Sequence, residues 1–321
     1  MAIQFSKTDT ALFYPFSQTR LPEDIRIGIL TIREKWEMIQ ASKGGDLANL
    51  INPLQLPGII DPSATKLLAN CTDIIKWNDW SIRQDYALIT NGRTSAAISA
   101  TNKIMNSINI FIEEGAVVEH CFLNATEGPI YIAKNATVME GSMLRGPLAI
   151  GENAVVKMGA KIYGASTIGP FCTAGGEIKN AVMMSHSNKA HDGYLGDSVL
   201  GSWCNLGAGT SNSNIKNTAG VVRIKLKSVE IIAGNKFGLL MGDYSRAAIN
   251  TSFNTGTVVG VCCNVFTNGL TPKYIPDFSW GCNGEKYLLE KAFLDIDNWK
   301  RLKGRSISDE EKQILTDICN H

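Results

Sequence analysis

Charge is scarce in this chain of 321 residues and its two signs nearly cancel, with 31 Lys and Arg against 30 Asp and Glu. That leaves no basic footprint for nucleic acid or an anionic membrane surface. Long apolar runs are absent. None approaches the ~20 residues that span a bilayer, and the opening MAIQFSKTDT has no apolar core of signal-peptide length. Eight cysteines, at 71, 121, 172, 204, 262, 263, 282 and 319, include no CxxC pair and no metal-ligand spacing. The expectation is a cytoplasmic protein with reduced thiols and no metal. What the chain does have is glycine, 30 residues of it, in keeping with a repetitive β structure of many corners rather than a helical bundle.

The clearest signal is a beat of six. From Ile132, every sixth residue is aliphatic: Val138, Leu144, Ile150, Val156, Ile162, Ile168. Four positions after each come Ala136, Ser142, Leu148, Ala154, Ala160, Ser166 and Cys172, all small except Leu148. A helix repeats near 3.6 residues and a strand at 2, so neither locks at six. A chain that turns a corner every six residues does, with the aliphatic side chain inward and the small residue easing the turn. This is the hexapeptide repeat of a parallel β-helix. A second run, Met241, Ala247, Phe253, Val259 and Val265, keeps the pattern with Ser245, Thr251, Thr257 and Cys263 at the small position.

Taken in order, residues 1–90 do not follow the beat. Residues 11–16 read as a short strand. Residues 25–36 begin like a strand and end like a helix, with Thr31 as a cap. Residues 41–65 read as loop, and Trp77 and Trp80 as core. The coil starts near residue 100, since Ile112 and Val118 lead into the beat after a detour at 124–130. Residues 174–193 weaken it. Tyr194, Leu200 and Leu206 resume it, an excursion over 210–227 interrupts it, and it ends near Phe266. Residues 287–302 carry a helical apolar stripe. Ser308 to Glu311 is a capping box opening a last helix. These helices are expected to cover the end of the coil and protect its strand edge.

Candidate chemistry lies in residues 187–214, SNKAHDGYLGDSVLGSWCNLGAGTSNSN. His191 stands in the irregular stretch between Lys189 and Asp192. An imidazole has an unperturbed pKa of about 6.5 and can accept a proton near neutrality. An amine attacking a thioester needs such an acceptor, because its nitrogen loses a proton as the bond forms. Tyr194, Asn205 and Asn214 add hydrogen-bonding groups, and Gly207-Ala208-Gly209 offers a smooth wall for a flat ligand. A loop histidine at the surface reads equally as a solvated side chain. His186 competes for the role, whereas His120 and His321 lie far from convergent polar groups.

This segment resembles the active-site run of the acetyltransferase half of the bifunctional glucosamine-1-phosphate acetyltransferase/N-acetylglucosamine-1-phosphate uridyltransferase family. That family carries Lys-x-x-His-x-x-Tyr-x-Gly-Asp followed by Asn-Ile-Gly-Ala-Gly-Thr. Here Tyr194-Leu195-Gly196-Asp197 and Asn205-Leu206-Gly207-Ala208-Gly209-Thr210 match, with His191 three residues before the tyrosine. Residues 24–36, 111–116, 157–164 and 253–261 look closest to a variant of Bacteroidetes type. The resemblance implies a mainly β fold, a left-handed parallel β-helix that works as a homotrimer with acetyl-CoA as co-substrate between neighbouring coils, in UDP-N-acetylglucosamine biosynthesis. It implies His191 as general base. It also implies Tyr194, Asn205 and Asn214 at the sugar-phosphate and acyl site, and backbone of Ala208 and Gly209 against the acyl end.

Two features depart from the family. Its phosphate-binding arginine corresponds to Ala174-Gly175-Gly176, and a lysine has no counterpart in residues 182–185. Lys189, Arg145 and Lys157 are the candidate anchors for a sugar phosphate, Lys189 first. The Gly-rich loop that opens the nucleotidyltransferase half is missing too. Residues 1–100 are too few for a nucleotide-binding domain with its substrate lobe. They read as a shortened nucleotidyltransferase-like α/β domain without uridylyl transfer, ahead of a β-helix at 101–270 and a helical extension at 271–321. The expected function is CoA-dependent N-acetylation of an amino-sugar phosphate. The alternatives are a nucleotidyltransferase-related protein that binds a nucleotide sugar, and a non-catalytic trimeric scaffold.

Overall fold

A computed structural model describes residues 3–7, 9–43 and 50–320. Residues 44–49 of the expected loop, and His321, lie outside the described residues.

Residues 103–280 form a left-handed parallel β-helix of triangular section. Its first face is a sheet of nine strands, its second of ten, and its third begins with six, from Lys103–Met105 to Tyr194–Gly196. The beat of six is the geometry of this prism. Ile132 pairs with Ile150 and Ile150 with Ile168, so one turn takes eighteen residues, six per side. The seven aliphatic residues and the seven residues at the small positions are all buried in one core inside the coil. Leu148, large where its peers are small, is also fully buried.

Where the beat weakens the ladder continues. Ile168 pairs with Met183, so that turn takes only fifteen residues. The residues lost come from the corners, because hydrogen bonds between turns set the register and the chain count does not. One expectation is corrected here. The inward residue is Leu195, fully buried, whereas Tyr194 faces out. The step from Leu195 to the next inward residue, Leu200, is one residue short, and Asp197 at the corner takes a left-handed φ of 48°. The excursion after Asn212 holds an antiparallel hairpin, Arg223–Leu226 with Val229–Ile232. The coil also outruns Phe266. Tyr274–Ile275 and Ser279–Trp280 join the first and second faces, since Pro272 and Pro276 fall between strands and remove no ladder bond.

The region before the coil coats the outside of the first face. It contains helices α1 (Ile32–Lys43), α2 (Asp73–Lys76) and α3 (Asn78–Thr90) and the antiparallel pair Gln55–Leu56 with Lys66–Leu67. Residues 11–13 and 16–18 are 3-10 turns, not a strand. Phe13 and Phe16 pack there among Val182, Met184, Val199, Leu240 and Val258 of the sheet. Thr31 caps α1 as expected, in a reciprocal pair with Glu34. A buried ion pair, Lys35 Nζ to Asp85 Oδ2 at 2.7 Å, ties α1 to α3. The same carboxylate oxygen accepts the amides of Ile29 and Leu30. Asn78 accepts the Gly28 amide and donates to the Ala165 carbonyl of the coil at 2.6 Å.

The C-terminal helices α4 (Leu289–Arg301) and α5 (Asp309–Asn320) do not cover the end of the coil. They lie along its first edge, where the first face turns into the second, on Trp203, Tyr244, Val261, Cys262 and Phe278. Their apolar stripe needs a long apolar surface, and that edge offers one. The edge of the second sheet is closed instead by Glu285–Lys286, antiparallel to Ser279–Trp280. Ser308 and Glu311 form the expected capping box. All eight cysteines are free, six of them buried. Among the described residues no helix is long and apolar enough to cross a membrane.

Candidate active site

The second edge, between the second and third faces, is built differently. Gly141, Gly159, Gly176, Gly193 and Gly209 occupy it, all at positive φ. Glycine adopts that conformation without the Cβ clash that burdens other residues. The result is an edge with a bare glycine at most of its corners, and His191 stands on it.

His191 lies between the second-face strand Asn188–Lys189 and the third-face strand Tyr194–Gly196. It is exposed, and its imidazole has no hydrogen-bond partner among the described residues. Gly175 and Gly176 sit directly beneath. A Cβ on Gly175 would fall 2.3 Å from the Ala190 carbonyl oxygen, and one on Gly176 2.7 Å from that of His191. Neither of these two glycines has room for a side chain.

Tyr194 projects from the third face just past this corner. Its hydroxyl accepts a hydrogen bond from the Asn214 amide at 3.0 Å, and the same amide nitrogen donates to Asp197 Oδ2 at 2.5 Å. Asn180 donates to Asp197 Oδ1 at 2.6 Å. Burial, with the Asp197 charge behind it, pushes the Tyr194 pKa up to about 12. The phenol stays protonated through neutrality, with its hydrogen available to a ligand oxygen. Gly209 joins from the second face, its amide bonded to the Asp192 carbonyl at 3.0 Å, and the Ala208 carbonyl accepts the Asn250 amide at 2.7 Å. Asn205 faces outward on the second face, in register with Asn188 and Arg246.

The chain thus brings His191, Tyr194, Ala208 and Gly209 to one edge. Asn214 reaches Tyr194 from just beyond the strand Ser211–Asn212, and Asn205 flanks the edge. Lys189 differs from its expected place. It points into the coil and is 2 % exposed. His186 is not part of this site. It lies on the first edge between the rings of Phe171 and Trp203, at 4.7 and 4.3 Å, with both ring nitrogens buried and unpartnered. Burial among Arg305, Lys303 and Lys300 pulls its pKa down to about 4. His120 is on the glycine edge several turns away.

No protein-family model matches the chain. It is 33% identical over 87 residues to the bifunctional protein GlmU of Methanocaldococcus jannaschii, covering 27% of this chain and 21% of that one. It is 30% identical over 115 residues to GlmU of Methanococcus vannielii, covering 36% and 28%. A bifunctional sugar-1-phosphate nucleotidylyltransferase/acetyltransferase of Sulfurisphaera tokodaii is 32% identical over 91 residues, covering 28% and 23%. The chain is GlmU-like. It spans about a quarter of the length of the curated relatives it matches.

A cluster next to this edge escapes motif reading. On the outer third face, Lys161, Glu177 and Tyr194 are in register, as are Tyr163, Lys179 and Gly196. The Tyr163 hydroxyl donates to Glu177 at 2.6 Å. The signal was present in the triplets Lys-Ile-Tyr, Glu-Ile-Lys and Tyr-Leu-Gly, each an inward aliphatic flanked by two outward residues. Further back, the same face is apolar. Ile104, Met105, Phe122 and Met143 line a groove of about 750 Å³ that reaches Arg145, Lys161 and Tyr163. Among the described residues the Arg145 guanidinium forms an ion pair only with Glu127, at 3.5 Å, and Lys157 is half-exposed on the glycine edge.

Proposed function

We propose that this chain is a CoA-dependent N-acetyltransferase acting on an amino-sugar phosphate, with glucosamine 1-phosphate as the model acceptor. The observation that carries the reading is an unpartnered imidazole on the glycine edge, one corner from a protonated tyrosine held by Asn214. The glycines fit a flat co-substrate, since any Cβ at Gly209 would come within 2.1 Å of Asn250 Oδ1 and close the wall. Backbone of Ala208 and Gly209 would line the acyl end of acetyl-CoA, which supplies the thioester when bound. His191 takes the proton that the acceptor amine loses as the amide forms. Tyr194 donates to an acceptor oxygen, and Asn205 and Asn214 orient the sugar. Lys157, Lys161 and Arg145 are candidate cations for the phosphate.

The working unit in this reading is a homotrimer. The first face is covered by the chain's own front region and the first edge by α4 and α5. The third face is left with Met105, Phe122 and Met143 half or more exposed. A second copy seated there would cover this apolar surface and supply the other wall of the His191 cleft. Thiol release from acetyl-CoA with glucosamine 1-phosphate tests the chemistry. Wild type turns over, and His191→Ala falls by about 10²-fold or more, the scale of general-base catalysis. Inactivity on every amino-sugar phosphate, or full activity in His191→Ala, ends the reading. Sedimentation of Phe122→Glu tests the assembly, with loss of the trimer expected.

A further inference from the structure

Inside the coil, the second face presents an inward row of Val118, Val138, Val156, Ala174, Leu206, Ala247 and Val265, all in the apolar core. Lys189 stands in the same row, paired with Ala174 on the turn below. Placing an amine among aliphatics costs free energy unless its hydrogens are satisfied. Its Nζ donates to the carbonyl of His191.

That carbonyl needs a donor for a local reason. The turn below rounds the second edge with Gly175 and Gly176 alone, between strands Thr173–Ala174 and Glu177–Lys179. The turn bearing His191 uses residues 190–193 between its strands. The longer corner overhangs the shorter one. Among the described residues no backbone amide reaches the His191 oxygen, although the Gly209 amide reaches that of Asp192. The amine occupies the space that the bare Gly176 leaves, where a Cβ would lie 2.9 Å from Nζ.

We infer that Lys189 is a positioning residue, an internal amine that clamps the His191 carbonyl from within the coil and so fixes the corner from which the imidazole projects. The role rests on His191 being the base. It replaces the expected role of Lys189 as a substrate anchor, because a side chain 2 % exposed offers nothing to a ligand outside. Burial draws the amine's pKa down to about 8, with Asp192 opposing. The clamp survives that titration, since ammonium and neutral amine both keep an N–H to donate.

Lys189→Met tests it, because Met keeps length and suits an apolar row. The first readout is hydrogen exchange of residues 190–193 by mass spectrometry in the full-length protein, which does not depend on activity. Exchange is expected to speed up by about tenfold or more at this corner alone, as a local opening. The second readout is kinetics. The kcat is expected to fall by about tenfold or more with KM for the acceptor within about twofold, the pattern of a misplaced catalytic group. Unchanged exchange overturns the clamp whatever the activity. Raised KM with intact kcat overturns it in favour of substrate anchoring. If wild type transfers no acetyl group, the functional reading falls, and the exchange result still decides the clamp.

Discussion

Two edges of one prism solve the same backbone problem in opposite ways. On the first edge, Phe171, His186, Trp203, Tyr244, Cys262 and Phe278 all take φ between 55° and 61°. On the second, glycines dominate the equivalent positions. A non-glycine residue in the left-handed region costs roughly 1–2 kcal/mol. The first edge accepts that cost in order to carry large side chains, which stack and disappear beneath α4 and α5. The second avoids it and stays open. Bulk on one edge builds a covered seam, and lack of bulk on the other leaves a surface on which a ligand can rest. Identical backbone geometry thus serves packing in one place and leaves an open edge in another.

Four measurements sharpen or break this contrast. The largest effect is expected from Phe278→Ala, at 1 % exposure on the covered edge. It should cost about 3–5 kcal/mol by denaturant unfolding. A cost below that of the glycine substitution described last would mean that packing does not hold the seam.

Second, the seam should weaken in acid. The His186 pKa lies near 4 when folded, below the ordinary 6.5. The unfolded chain therefore binds a proton through that window which the folded chain refuses, and stability falls as pH drops from about 6.5 to about 4. The loss should be on the order of 1–3 kcal/mol, discounted for partial exposure. His186→Phe, which keeps the stack, should flatten that part of the thermal-unfolding profile. An unchanged profile in His186→Phe removes His186 as the cause.

Third, the stability gap between Lys189→Met and wild type should depend on pH. The Lys189 pKa is depressed to about 8 from 10.5. Wild type therefore gains stability relative to Lys189→Met as pH climbs through that interval. A gap that stays constant with pH would show that the amine is not the source.

The smallest effect belongs to Gly159→Ala on the open edge. Nothing lies within 4 Å of the added Cβ, so only the strain of φ 69° remains, about 1 kcal/mol. A cost several times larger would mean the edge is already filled by a neighbour.

The six-residue beat made the coil legible, because inward aliphatic and small residues have no other common cause. It failed wherever corners changed length. Tyr194 read as an inward residue because it sits six before Leu200, yet one missing corner residue hands that place to Leu195. Lys189 read as a surface lysine because nothing in its neighbours announces an inward position. Its meaning depends on the two-residue corner below it. The aromatic edge was invisible for the same reason, since its residues are fifteen to forty-one apart in sequence and meet only through turns of unequal length. His191, Tyr194 and Gly209 were legible as a motif, whereas Tyr163 and Glu177 needed the sheet register to join them.

The fastening of the front region through Gly28, Asn78 and Thr167 has a practical corollary. Thr167 Oγ1 donates to the Gly28 carbonyl at 2.9 Å, while the Gly28 amide is held by Asn78. Severing the polypeptide near residue 100 would leave those bonds without mates and lay Val182, Met184, Val199, Leu240 and Val258 open to water. The front region is thus upholstery for the coil, and a recombinant spiral expressed without it should come out of the cell as aggregate.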